Sequence, residues 1–193
     1  MKKYRIVLLT LISIMAIAGC SSNKNFLKDG EKALENKDYT YAVNCFDDMI
    51  EATSKEEPKN EKENKIQDNN ISEAYKGLGI AYFELEEYDK ALNAYEEADK
   101  YEVTKTAVMY RNMAVCAEKI EEYDKAVIYG ERGLESTLDK DSSEIRKDLY
   151  YVIIKSYEVQ GNWEDAYNVA LRYNEEFPGD ADMEKEIVFL ETR

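Results

Sequence analysis

The sequence predicts an all-α chain: a solenoid of about four helix hairpins closed by a C-terminal capping helix. Three observations lead there. Apolar residues recur at three- and four-residue steps, the spacing of one helix face. Only two prolines and eight glycines occur in 193 residues, which suits helices joined by short turns better than a sheet with many tight ones. An internal pattern also returns four times: an aromatic residue, two others, then an alanine.

The amino terminus is expected to stand apart from this fold. Lys2, Lys3 and Arg5 precede a thirteen-residue run, 6–18, that is apolar apart from Thr10 and Ser13. A charged start followed by an apolar stretch too short to remain as a membrane-spanning helix is the pattern of a secretory signal. Its end, Ile17-Ala18-Gly19-Cys20, resembles the lipobox of bacterial lipoproteins, where small residues admit the peptidase and the cysteine is acylated. The resemblance implies a signal peptide over 1–19 and palmitate-type acylation of Cys20. It also implies a short lipidated tether over 20–25 and a location on the extracytoplasmic face of a bacterial cell membrane. Each buried methylene of such an anchor contributes about 0.8 kcal/mol. Cleavage takes away Lys2, Lys3 and Arg5, so the formal charge of −15 becomes −18. A protein this acidic repels phosphate backbones and anionic headgroups, which argues against a nucleic-acid partner.

From residue 26 the repeats follow in order. The aromatic–alanine pairs are Tyr39 with Ala42, Tyr88 with Ala91, Tyr123 with Ala126, and Trp163 with Ala166. Upstream of each lies a second helical stretch, clearest in Tyr75, Leu78, Gly79 and Tyr82. Small residues at Gly79 and Ala91 let two antiparallel helices approach closely. The breaks between paired helices are polar, and Asp38 and Asn162 are placed to cap the helix that follows. These residues resemble the tetratricopeptide repeat (TPR), most closely in the second copy. The units are read as 26–53, 72–101, 107–136 and 147–178, within an array spanning 26–179. Segment 54–71, which up to Asn70 has one strong apolar residue (Ile66) among lysines and acids, is read as a charged mobile loop. Asn70 with Glu73, and Asp141 with Glu144, look like capping boxes that restart helices after such interruptions. After Pro178 and Gly179, Asp180 caps a last helix in 180–193 whose Met183, Ile187 and Leu190 form one stripe, a lid on the solenoid's exposed end.

Catalytic chemistry has little to work with. Histidine is absent, which removes Ser-His and Cys-His nucleophile pairs and every histidine metal site. The calcium-loop-like starts at Asp139 and Asp180 lack the turn glycine. No cofactor, no metal and no enzymatic activity are expected. Cys45 and Cys116 fall in the first and third units, which do not touch in a solenoid, so they are read as buried thiols rather than a disulfide.

The TPR resemblance implies a protein-binding scaffold whose first helices line a concave groove. Carried onto this chain, the groove positions are Leu27, Glu31 and Leu34, then Lys76, Ile80 and Phe83, then Arg111, Val115 and Lys119, and finally Tyr151, Lys155 and Glu158. The four basic residues among them would gather positive charge in one trough. Chaperone-binding arrays clamp a C-terminal carboxylate; Lys76 and Asn112 match two places of that clamp, but Ile80, Asp148 and Val152 occupy the other three, so the clamp is not expected here. The function expected is a membrane-anchored adaptor of the bacterial cell envelope that engages another envelope protein. The alternatives are an accessory solute- or polymer-binding lipoprotein, or an accessory factor of an envelope assembly or secretion machine.

Overall fold

The computed structural model describes residues 25–55, 57–101, 105–136 and 143–193. The signal segment, Cys20 and the Asp141 restart lie outside the described residues. Within them run nine α-helices and no strand: α1 (Phe26–Glu35), α2 (Tyr39–Ser54), α3 (Glu61–Glu84), α4 (Tyr88–Asp99), α5 (Ala107–Lys119), α6 (Tyr123–Glu135), α7 (Ser143–Val159), α8 (Trp163–Glu176) and α9 (Ala181–Glu191). Each packs on the next, and α1, α3, α5 and α7 also pack side by side in that order. The result is a solenoid of four hairpins with α9 laid over the last.

The hairpin turns share one geometry. Lys37, Glu86, Glu121 and Gly161 each sit two residues before the repeat aromatic, with φ of 59°, 59°, 64° and 75°. Around the first, the Lys37 amide donates to the Leu34 carbonyl (3.0 Å) and the Asp38 amide to that of Ala33 (2.9 Å). The same pair of bonds recurs at Glu86–Glu87, Glu121–Glu122 and Gly161–Asn162. This is a Schellman closure, whose left-handed residue is usually glycine. A side chain held there costs about 1–2 kcal/mol, part of which glycine returns as chain entropy. Glu86→Gly is therefore expected to stabilise the fold by about 0.5–1 kcal/mol, and Gly161→Ala to destabilise it by a similar amount, both read from urea midpoints. Asp38 caps α2 by accepting from the Tyr41 amide at 3.2 Å. Asn162 stands at the start of α8, but its side chain makes no capping bond, contrary to expectation.

The repeat alanines form the spine. Ala42, Ala91, Ala126 and Ala166 are all completely buried. Large residues then fill the space between hairpins: Phe46, Tyr95 and Tyr173 are almost wholly enclosed. Phe46 is flanked by two glycines, Gly30 of α1 and Gly77 of α3; a Cβ at Gly30 would stand 2.6 Å from its ring. Gly79 gives way to Tyr95 at the same distance. The glycines thus stand where neighbouring rings occupy the room a side chain would need.

One interruption is read differently by the structure. Segment 54–71 is not a loop along its length, because α3 already begins at Glu61 and passes through Asn70 and Glu73 without a break. Its cap is Asn60, which accepts from the Glu63 amide at 2.9 Å, while the Glu63 carboxylate accepts from the Lys59 amide at 2.9 Å. Nothing in 61–70 breaks a helix, and extending one that tertiary packing already holds carries no nucleation cost. Gln67 secures the extension by donating to the Thr53 carbonyl at 2.7 Å.

The last helix is tied down at its start. Asp180 accepts from the Asp182 amide (3.3 Å), from the Met183 amide (3.5 Å), from the Tyr173 hydroxyl (2.5 Å) and from Lys147 (3.2 Å). The Tyr173 hydrogen bond first, then Lys147, hold its carboxyl down to about 2. A lowered pKa means that the contribution is complete above the ordinary carboxylate range and is lost as pH falls through about 2. Asp180→Ala is expected to loosen α9, seen as faster amide exchange of Met183 and Leu190 than in the wild type, with α4 and α5 unchanged.

Candidate interaction groove

The inner surface is built by α1, α3 and α5, with α7 continuing it. Between the first three lies an open cavity of about 230 Å³. Leu34, Gly77, Ile80, Val108 and Met109 supply much of its wall, and the rings of Phe46 and Tyr95 reach it from the second helices of their hairpins. Ile80 and Val108 remain 39% and 43% exposed although both are large and apolar. Polar groups stand at its edge: Glu31, Glu73, Lys76, Thr106 and Asn112. Thr106 is occupied as the cap of α5, accepting from the Met109 amide at 3.2 Å. Asn112 donates to the Tyr95 hydroxyl at 3.0 Å and accepts from Arg111 at 3.1 Å. Burial dominates the Tyr95 hydroxyl and raises its pKa well above the usual tyrosine range, so it stays a neutral donor and acceptor.

Of the positions carried over from the repeat family, Glu31, Leu34, Lys76 and Ile80 meet at this cavity. Others do not. Phe83 is half-buried and packs against the central cluster, edge-on to Tyr88 with ring centroids 5.8 Å apart. Val115 packs against the same central cluster, and Leu27 against the first. Tyr151 is 42% exposed on α7 and leans on Tyr173 at 5.5 Å. Lys119 is exposed at the end of α5. Glu158 has its carboxyl pushed up to about 7 by burial first, then by the neighbouring Glu186 carboxylate. Val108 is not among the carried-over positions, although it lies one turn before Arg111 on the same helix face; Asn112, which matches one place of the carboxylate clamp, also lines the cavity.

The basic trough does not form as a concentration of positive charge. Lys76 pairs with Glu73 at 2.6 Å, Arg111 with Asp148 at 2.8 Å, and Lys155 with Glu118. The reason is composition: with 41 acids against 26 bases, a cation on this face meets an acid three residues away or on the adjacent helix of the same inner surface. Arg111–Asp148 and Lys155–Glu118 instead lace α5 to α7, each contributing at most about 1 kcal/mol at this exposure.

No disulfide joins Cys45 and Cys116, and both are buried. Burial pushes the Cys116 thiol up to about 12, far from a reactive thiolate. Among the described residues no group of three or more His, Cys, Asp or Glu side chains could hold a metal. No described helix is long and apolar enough to cross a membrane.

No family model matches the chain, and no curated protein matches it in sequence. Its likeness to solved structures is one of shape. YrrB, described as a TPR protein with an unusual peptide-binding site, is 17% identical and superposes with a TM-score of 0.62, covering 86% of this chain and 74% of its own. TTC0263, a thermophilic TPR protein of Thermus thermophilus, is 16% identical with a TM-score of 0.46, over 88% of this chain and 98% of its own. The fold of this chain is that of a TPR solenoid.

Proposed function

We propose that this chain is a membrane-anchored adaptor of the bacterial cell envelope, without enzymatic activity, that holds a segment of another envelope protein in its concave groove. The observation that carries the reading is the open cavity, over which Ile80 and Val108 leave apolar surface exposed. A solenoid of the same shape, YrrB, is described as having a peptide-binding site. Anchoring rests on the sequence around Cys20, and the absence of histidine supports binding over catalysis. Two changes test the two halves. Cys20→Ser should incorporate no lipid label and leave the chain untethered or uncleaved; normal labelling and membrane retention would contradict the anchor. Ile80→Ser combined with Val108→Ser should lose the partner that the wild type captures in pull-downs from membrane extracts, whereas Lys62→Ala on the far end of α3 should retain it. Equal capture by all three would place the partner on another surface.

A further inference from the structure

Resting on that groove reading, we propose that the cavity between α1, α3 and α5 is a side-chain pocket for a partner segment that carries a large apolar residue next to a lysine or arginine. Size supports the apolar part. An apolar cavity of about 150 Å³ accepts benzene, and this one offers about 230 Å³. The base of the pocket is made of Phe46 and Tyr95, both buried to within 1% of complete enclosure. Gly77 adds no side chain, which lets the Phe46 ring lie against the α3 backbone where that helix borders the pocket. The next junction along the inner face is closed differently. Two ion pairs lace α5 to α7, whereas among the described residues no salt bridge joins α3 to α5.

Charge supports the basic part. Lys76 at the edge is already paired with Glu73. Glu31, on the opposite lip, is exposed and makes no ion pair with another described residue. The rim therefore carries a net negative charge, in a chain whose total is −15. A cation beside the inserted side chain would meet Glu31 across the lip, while an acid there would face both Glu31 and the long-range field of the protein.

The test is to pan a library of random dodecapeptides against the immobilised full chain, then to measure each recovered peptide by fluorescence anisotropy. Recovered peptides should share a large apolar residue with a lysine or arginine within two positions of it. Val108→Trp, which fills the pocket from an exposed position, should weaken them about tenfold or more. Glu31→Lys should weaken them about threefold, and the difference should shrink as salt rises. Thermal melts of both variants should match the wild type. Peptides that ignore Val108→Trp but are lost with Tyr151→Ala would overturn the pocket while leaving the groove in use. Acidic peptides would overturn the charge assignment. Peptides indifferent to all three changes would defeat the groove reading together with the pocket, and recovery of no peptide would contradict the pocket as well.

Discussion

Phe46→Ala should cost about 3–5 kcal/mol, the largest effect of any single change considered for this chain. The ring is 1% exposed and fills the space between Gly30 and Gly77. Two glycines cannot close over the void by side-chain movement, so the cavity term is retained in full. Because Phe46 belongs to the first hairpin, the damage should be local. A solenoid is held by contacts between neighbouring units, so α1 and α2 should lose amide protection while α7 and α8 keep theirs. Uniform loss of protection along the chain would show that the hairpins unfold as one body rather than as coupled units.

Ala91→Leu approaches the same core from the opposite direction. Ala91 is completely buried on α4, and its small side chain sets how closely the second hairpin closes. Added bulk there forces the helices apart and should cost about 1–3 kcal/mol. Asn93, two residues on, is exposed on the same helix, so Asn93→Leu should stay within about 0.5 kcal/mol. Urea melts of the two variants separate overpacking from a mere change of helix propensity. Equal midpoints would mean that the alanine column does not set the packing.

The architecture was legible because its cause is periodic. Tyr39, Tyr88, Tyr123 and Trp163 each announce an alanine three residues later, and steric demand on those alanines leaves the sequence no freedom. Segment 61–70 was not legible from hydrophobicity, since a helix that projects from an already packed one needs no apolar stripe of its own. The hairpin turns were placed by their polar breaks, but their left-handed geometry was hidden, because Lys37, Glu86 and Glu121 stand where glycine would have signalled it. At the groove, a pattern of positions identified Ile80 and Lys76 but not whether the cations among those positions are paired. Whether a cation is available depends on Glu73, Asp148 and Glu118, and two of those three lie on another helix from the cation they neutralise. Register also carries Phe83 to the groove, but it is half-buried against Tyr88 and does not line the cavity that Lys76 and Ile80 border.

Site-specific photo-crosslinking in cells tests the central claim, that the inner face of α1, α3 and α5 is where a partner segment lies. A photoreactive residue would be placed in turn at Ile80, at Val108 and at Asn93, the last on the exposed side of a second helix. The account predicts a crosslink to one and the same envelope protein from Ile80 and Val108, and none to it from Asn93. Capture of that protein from Asn93, with no product from either groove position, would contradict it.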